Sequence, residues 1–246
     1  MKKLILIALC TLFLTGCSSG VSQEEYDKVV AERDELQAQL NSINGAPVQE
    51  ESTQPESESH EEATEEDIEV ISDYAYPDGI GWYTYRYLVI KNNSSSTVDV
   101  STSTLAYASD GSMVAADDSG CEAVGPGCTS IIEEAFETDS EIDHYETSFT
   151  VKNDGYYESV LQDLSYTQND VDDGAIFQVT NNGEEPAEFV EGYALFFLGD
   201  ELVYRDSQYF TDDDSEIKPG ETISKQMTSY DDFDRIEFYL TGRRSA

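Results

Sequence analysis

The chain has 246 residues and a formal net charge of −39 at pH 7, since 52 acidic residues outnumber 13 basic ones. This length is enough for one large or two small domains. A surface with this charge repels the phosphates of nucleic acids and anionic lipid headgroups, so we expect neither as a partner.

The N-terminus, residues 1–16, predicts a lipoprotein signal peptide. A short basic segment (MKK) precedes an apolar run, residues 4–14, that is too short to span a bilayer as a helix. The run ends in LTGC, which resembles the lipobox of bacterial lipoproteins. The resemblance implies that Cys17 is lipidated and that the protein is extracytoplasmic, lipid-anchored to the bacterial cell membrane. The alternative is an ordinary secretory signal with a chance cysteine.

Residues 17–44 predict the lipidated cysteine followed by a short coiled-coil-like helix. Ser22 and Glu25 fit a capping box at the start of the helix, and Gly45 fits its end. Apolar residues recur at two heptad positions, but Arg33 interrupts one of them. A weakly self-associating stalk and a solvated helical spacer both fit, because fewer than four heptads rarely associate alone.

Residues 45–67 predict a disordered acidic linker. From Gln49 to Asp67 there is no Lys or Arg, and repulsion between like charges opposes regular structure. We expect this linker to hold the folded part away from the cell envelope, with an acidic binding tail as the alternative.

From residue 68 onward, short apolar alternations rich in Tyr, Val, Ile and Thr indicate strands. The segment also repeats itself at offsets between 89 and 93 residues. The matching stretches are 70–76 with 160–166, 88–93 with 177–182, 107–114 with 196–203, 125–127 with 218–220, and 142–146 with 233–237. Matches in the same order predict two copies of one domain, at 68–153 and 154–246.

Each copy has six or seven short strands and no helical periodicity between them. This pattern predicts an all-β fold of two tandem immunoglobulin-like antiparallel β-sandwiches, preceded by the short N-terminal helix and the disordered acidic linker. Within the repeat, the pair Asn92-Asn93 aligns with Asn181-Asn182. These residues predict a hairpin turn between two core strands, present once in each copy.

The second copy resembles the FxLYD domain family of bacterial lipoproteins and secreted proteins. The stretch FFLGD at 196–200 matches the family motif except for Gly199, which stands where the family has Tyr. The stretches 179–183, 186–189 and 217–220 also follow the family pattern, so the resemblance covers about residues 158–241. It implies an exported β-sandwich with no catalytic residues.

Two cysteines remain after Cys17 and the signal-peptide cysteine are set aside. Cys121 and Cys128 flank a Gly-Pro-Gly turn that could bring two strand ends together, in a compartment that permits disulfides. We therefore predict a disulfide between them, with two free thiols as the alternative. Two cysteines without a nearby His cluster do not indicate a zinc site.

Residues typical of catalysis or metal binding are sparse. His60 lies in the acidic linker, and His144 stands alone on a late strand. No metalloprotease, phosphate-loop or nucleophile-elbow motif is present, so no catalytic residue, metal or cofactor is assigned. The acidic stretches 170–174 and 212–216 lack the Asp spacing of a helix–loop–helix calcium site, and solvated acidic turns explain them equally well.

A row of tyrosines is the main candidate for ligand binding. Tyr83, Tyr85 and Tyr87 alternate and so share one face of a strand. This face could be an exposed platform for a glycan or a partner chain, or it could pack under another sheet or the second domain. Trp82 falls on the opposite face, and we expect it to be buried.

These features predict a non-enzymatic cell-surface lipoprotein that presents two β-sandwich modules for protein interaction, adhesion or envelope structure. The alternative is an extracytoplasmic small-ligand or glycan-binding lipoprotein that uses the face of Tyr83, Tyr85 and Tyr87. The expected partners are the membrane, through the lipid anchor, and an extracellular or envelope protein or a glycan.

Overall fold

A computed structural model describes residues 62–153, 155–211 and 215–245, which all belong to one compact unit, Glu58–Ala246. The predicted signal peptide, Cys17, the predicted helix and most of the linker lie outside the described residues. In the described part of the chain, no helix is long and apolar enough to cross a membrane.

The described residues form an almost entirely antiparallel β-structure, with one 3-10 helix at Glu65–Asp67. The strands are β1 (Ile68–Pro77), β2 (Tyr83–Asn92), β3 (Val98–Tyr107), β4 (Met113–Val124), β5 (Thr129–Glu137), β6 (His144–Asn153), β7 (Tyr157–Ser159), β8 (Leu164–Val171), β9 (Gly174–Asn181), β10 (Ala187–Leu198), β11 (Glu201–Tyr209), β12 (Glu216–Ile217), β13 (Thr222–Thr228) and β14 (Arg235–Ser245). The all-β, antiparallel class predicted from the sequence is confirmed.

The strands form four sheets, and one strand order occurs twice. Sheets β1-β2-β5 and β4-β3-β6 enclose one core, and we call this pair the first sandwich. Sheets β8-β9-β13 and β11-β10-β14 enclose a second core and form the second sandwich, in which β7 extends the second sheet and β12 pairs with β10. Each strand of the first sandwich therefore has a counterpart in the second.

The alternating sequence of each strand explains its placement. In β3, Val98 and Val100 are buried while Ser101 and Ser103 are exposed, as expected of a strand with one face on a core. The buried residues of the first core are Leu88, Ile90, Val98, Val100, Cys121, Val124 and Ile132. Those of the second are Val160, Ala175, Phe177, Val179, Ala187, Val190, Ala194, Phe196, Phe210, Ile217, Met227 and Phe238.

A third apolar cluster joins the two sandwiches, and we call it the inter-sandwich interface. It contains Tyr87, Val89 and Ile131 from β2 and β5 together with Leu195, Phe197 and Leu202 from β10 and β11. The outer face of β1-β2-β5 thus packs on the outer face of β11-β10-β14, and the four sheets stack face to face. Because β2 is covered on both faces, residues 86–90 are all buried despite the alternation of their side chains.

Asn92 and Asn181 lie at equivalent corners and make the same set of bonds. The Asn92 amide donates to the carbonyls of Ser96 and Val124, both at 2.8 Å. The Asn181 amide donates to the carbonyls of Glu185 and Ile217, at 2.7 and 2.9 Å. Each Asn satisfies backbone carbonyls in a buried place, where they would otherwise lack partners.

These corners correct the predicted hairpin turns. β2 and β3 do not pair with each other but lie in opposite sheets of the first sandwich, and β9 and β10 do the same in the second. The Asn-containing connection therefore crosses between sheets. Turn-forming residues predict a change of direction, but they do not reveal which sheet the chain enters next.

One of the five repeat matches, residues 70–76 with 160–166, differs in the structure. The Asp67 carbonyl accepts a hydrogen bond from the Asn93 amide, and the Asp163 carbonyl accepts one from the Asn182 amide, both at 2.8 Å. Asp67 and Asp163 are therefore equivalent. They lie 96 residues apart, whereas the sequence match assumed an offset of 90. The outward face of β1 packs on the second sandwich, whereas β8 is exposed along most of its length. The two strands therefore differ in sequence, and a match of apolar letters gives the wrong register.

The predicted disulfide is not formed, because Cys121 and Cys128 are free thiols. Cys121 lies in β4 opposite Val100, whereas Cys128 leads into β5 in the other sheet. The Gly-Pro-Gly turn between them crosses from one sheet to the other, with the Gly127 amide bonded to the Asn92 carbonyl at 2.8 Å. It does not close a hairpin that would align the two cysteines.

Residues 62–67 were predicted to be the end of the disordered linker. They include the 3-10 helix, which a capping box between Thr64 and Asp67 begins. The Ala63 amide also donates to Asn153 Oδ1 at 3.1 Å, and Ala63 packs on the first core. The folded part therefore begins before β1.

Candidate binding surface

The three tyrosines of the predicted platform differ in burial, although the Tyr83 and Tyr85 rings stack with their centroids 6.0 Å apart. Tyr87 is completely buried in the inter-sandwich interface, and its hydroxyl donates to Glu133 Oε2 at 2.8 Å. Tyr85 packs on the same interface, with the Arg205 guanidinium 4.5 Å from its ring centroid. Tyr83 also borders an open cavity. The row is therefore mostly a contact between the sandwiches, not a continuous exposed platform.

Trp82 was expected to be buried and is instead 68% exposed. β2 begins at Tyr83, so Trp82 lies in the preceding loop, where the alternation of the strand no longer determines its direction. Ile80 of the same loop is 72% exposed. Two large apolar side chains, two positions apart in the sequence, thus project into solvent.

The backbone of this loop is held firmly in place. The Trp82 amide donates to Asp78 Oδ1 at 2.9 Å, and the Trp82 carbonyl accepts from the Thr138 amide at 3.1 Å. The Asp78 amide donates to the Tyr83 carbonyl at 2.8 Å, and Gly81 supplies the positive φ that the turn requires. The exposed side chains are therefore carried on an ordered scaffold.

A cavity of about 360 Å³ lies next to this loop, and we call it the tip pocket. It is formed by the end of β1, the start of β2, the β5–β6 loop and the start of β6. Its lining residues are Ala75, Pro77, Gly81, Tyr83, Thr84, Thr138, Asp139, Ser140, Glu141, Ile142 and Tyr145. Of the described residues that line it, none is basic. The pocket thus combines the ring of Tyr145 with three hydroxyl side chains and two carboxylates.

Tyr145 of the tip pocket is supported by a buried arginine. The Arg86 guanidinium lies 4.3 Å from the Tyr145 ring centroid. Burial, opposed by the Arg86 charge, raises the pKa of Tyr145 to about 12, so its phenol is neutral at physiological pH. Phe136 packs against the same ring at 5.2 Å. The ring is therefore held in a defined position.

Arg86 belongs to an ion-pair network inside the first sandwich. It donates to both carboxylate oxygens of Asp73, at 2.8 and 2.7 Å, and to Glu134 Oε2 at 3.0 Å. Glu134 has no solvent exposure, and its other oxygen accepts from Thr104 Oγ1 at 2.6 Å. Thr147 Oγ1 accepts a further bond from Arg86 at 2.8 Å. Such fully bonded buried charges fix the geometry of the surrounding strands.

The sequence contained a signal for this network that was missed. Arg86 alternates with Leu88 and Ile90, and Glu134 alternates with Ile132 and Phe136. A charge at a core-facing position in each of two strands predicts a buried pair, because a single buried charge would be too costly.

The equivalent position of the second sandwich lacks the charged pair. There, Ala175 and Met227 pair across β9 and β13, as Arg86 and Glu134 pair across β2 and β5. Both are buried apolar residues. Charged groups in this part of the core are therefore not a requirement of the strand arrangement.

The loop beside the tip pocket is also specific to the first sandwich. In the first sandwich, Tyr76 pairs with Tyr85 across β1 and β2, and residues 77–84 lie between them. At the equivalent place in the second sandwich, Val171 pairs with Gly174, and only residues 172–173 lie between them. The insertion carries both Ile80 and Trp82. Two departures from the shared arrangement, the longer loop and the charged core, thus occur at the same end of one sandwich.

A second, more polar cavity of about 610 Å³ lies between the sandwiches. Arg243 contributes to it, with its guanidinium 4.4 Å from the Tyr157 ring centroid and ion-paired with Glu122 of the first sandwich. Glu133 and Glu191, which also line it, accept hydroxyl bonds from Tyr87 and Tyr193. These contacts explain the charged groups as links between the two sandwiches.

The remaining chemical candidates are not brought together. His144 is exposed, stacks on Tyr107 at 5.1 Å and bonds Asp143. Among the residues that the structure describes, no three His, Cys, Asp or Glu side chains are placed to hold a metal ion. Residues 212–214, in the second acidic stretch, lie outside the described residues.

Comparison with known proteins found no matching family model and no matching curated protein. The resemblance to the FxLYD family stays a prediction from the residues quoted above.

Proposed function

We propose that this chain is a non-enzymatic, lipid-anchored extracytoplasmic binding protein built from two immunoglobulin-like sandwiches. The lipobox-like LTGC at residues 14–17 supports the anchor, and the acidic stretch that follows supports a spacer between the membrane and the folded part. The recognition surface in this proposal is the tip pocket together with Ile80 and Trp82. Its partner is an extracellular or envelope protein.

The exposed Ile80 and Trp82, on a loop whose backbone is bonded on both sides, are the observation that carries the proposal. Large apolar side chains that project from an ordered scaffold are typical of protein–protein contact sites, where Trp is strongly enriched. A pre-ordered loop also loses little conformational entropy on binding.

The stacking of the two sandwiches supports a display function. The aromatic interface, including the edge-to-face contact of Tyr74 with Phe197 at 4.8 Å, joins them over a broad face. A joint of this kind holds the tip in a constant orientation relative to the second sandwich.

Glycan binding is the second candidate function. Its site would involve Tyr83 and the tip pocket and not the whole row of three tyrosines. Tyr83 lines the tip pocket beside the hydroxyls of Thr84, Thr138 and Ser140. An aromatic face with nearby hydroxyls is suited to a sugar ring. Tyr85 and Tyr87 contribute nothing to this version, because the interface occupies them.

Site-specific photo-crosslinking on intact cells tests the proposed function. A photoreactive amino acid at position 82 is expected to capture a defined envelope or extracellular protein. The same amino acid at position 209, an exposed tyrosine of the second sandwich, serves as the control. Equal capture at both positions, or none at position 82, would contradict the proposal, and capture of polysaccharide would favour the second candidate.

The anchor is tested separately with Cys17→Ala. Labelled fatty acid is expected to enter the wild-type chain and not the variant, and the variant is expected in the medium or periplasm. A variant that stays in the membrane fraction would contradict lipid anchoring.

A further inference from the structure

We propose that the tip pocket accepts a basic side chain of the partner protein. This inference rests on the proposed function, and it assigns the chemical class of the group that enters the pocket. The longer loop beside the pocket distinguishes this end of the first sandwich from its counterpart in the second.

The lining of the pocket fits a cation on an apolar stem. Tyr145 provides an aromatic ring, and Ala75, Pro77 and Ile142 provide apolar contacts. Aromatic rings attract ammonium and guanidinium groups through the negative potential of their faces. The methylene stem of Lys or Arg packs on apolar walls while its charge stays near polar groups.

The charges around the pocket favour the same class of ligand. Asp139 and Glu141 line it, and none of the described lining residues offers a compensating positive charge. The network behind Tyr145 joins one guanidinium to the carboxylates of Asp73 and Glu134, so it has a formal net charge of −1. An anionic ligand would be repelled from both directions, whereas a cation would be attracted from both.

The apolar rim makes a side chain of a protein a better fit than a free amine. Trp82 lies between Gly81 and Tyr83, which both line the pocket, and its own side chain is largely exposed. A small amine would fill the cavity and leave Trp82 and Ile80 uncovered. A basic residue with apolar neighbours on a partner's surface would satisfy the cavity and the rim together.

The test uses three acetylated tripeptide amides with leucine on both sides of lysine, norleucine or glutamate. Trp82 is the only tryptophan of the chain, so its fluorescence reports on the rim of the pocket directly. We expect a saturable change with the lysine peptide and an affinity about three-fold or more weaker for norleucine, which keeps the stem and loses the charge. The glutamate peptide should give no saturable change.

The double variant Asp139→Asn/Glu141→Gln should weaken the lysine peptide by about three-fold or more and leave the norleucine peptide unchanged. The double variant Asp172→Asn/Asp173→Asn, in the short β8–β9 turn of the second sandwich, changes the net charge equally and serves as the matched control. Thermal unfolding of both variants checks that the fold is intact.

The inference is overturned by any one of three results. These are equal binding of the lysine and norleucine peptides, equal weakening by the two double variants, and no saturable binding of the lysine peptide. Photo-crosslinking at position 82 separates these failures from that of the proposed function. Capture of a partner combined with equal peptide binding would leave the proposed function intact and reject only the basic side chain.

Discussion

Arg86 and Glu134 form a buried ion pair across β2 and β5, at the position that Ala175 and Met227 occupy in the second sandwich. One strand arrangement thus accommodates both a charged and an apolar pair at the same place. The charged pair also involves Asp73, whose side chain is half exposed, and it supports the ring of Tyr145 at the tip pocket.

The ion pair leads to a prediction about stability. Glu134→Met alone should reduce the free energy of unfolding by about 3–5 kcal/mol, because it leaves the Arg86 charge buried with the half-exposed Asp73 as its only charged partner. The double variant Arg86→Ala/Glu134→Met, which copies the second sandwich, should recover most of this loss. Urea unfolding of the wild type, the single variants and the double variant measures the coupling between the two residues. Additive losses in the double variant would contradict the interpretation of the pair as one unit.

The inter-sandwich interface predicts that the two sandwiches associate when they are produced separately. Residues 62–153 and 155–245 should form a one-to-one complex, since each fragment alone exposes half of an aromatic cluster. Phe197→Ala should weaken the complex by about 3–5 kcal/mol, the usual cost of removing a buried phenyl ring. Analytical ultracentrifugation and calorimetry measure the association.

Leu198→Ala is the control for this experiment, because Leu198 is adjacent in sequence but half exposed. Fragments that stay monomeric at high concentration would show that the interface does not hold the sandwiches together.

The equivalent bonds of Asn92 and Asn181 predict that removing either side chain reduces stability by a similar amount. Asn92→Ala and Asn181→Ala should each reduce the free energy of unfolding by about 1–3 kcal/mol, because each leaves two backbone carbonyls without the amide that bonds them. Asn93→Ala removes only an exposed bond to Glu69 and should change stability by less than about 0.5 kcal/mol. A loss at Asn93 as large as that at Asn92 would contradict the assigned roles.

The free cysteines predict different reactivities. Burial raises the pKa of the Cys121 thiol to about 12 against a weaker opposing effect of Ser130, and burial also raises that of Cys128, opposed by Gln162. Cys128 is half-buried, so iodoacetamide at pH 8 should modify it first, and Cys121 should react only on unfolding. Mass spectrometry of the two peptides over time checks the order. A disulfide-linked peptide from the exported protein would contradict the free thiols.

The same pKa shift gives a pH dependence. An acid whose pKa is raised in the folded state contributes stability that is complete below its pKa in the unfolded chain and is lost as pH rises toward the folded value. The Cys121 contribution should therefore fall by roughly 1.5–2 kcal/mol between pH 8 and pH 10. Urea unfolding at both values should show a smaller decrease for Cys121→Ala than for the wild type, and equal decreases would contradict the assignment.

Features that depend on local sequence were predicted correctly more often than those that depend on contacts between distant segments. The all-β class followed from short alternating segments, and the bonds of Asn92 and Asn181 are indeed repeated at equivalent corners. The direction of Trp82 was predicted wrongly, because the alternation was extended one residue beyond the start of β2. The tip pocket was not predicted, because its lining comes from strand ends and loops far apart in the chain.

Sequence alone determined the strand-forming pattern, the acidic character of the chain and the positions of the turn residues, because these depend on local residue types and their spacing. Only the tertiary structure decided that the tyrosine row packs largely on the inter-sandwich interface, and that Arg86 meets Glu134 inside a core. Both depend on which sheet each strand joins and on what covers its outer face. A sheet with an uncovered face and a sheet packed on both faces can share one alternating pattern, so the pattern cannot distinguish them.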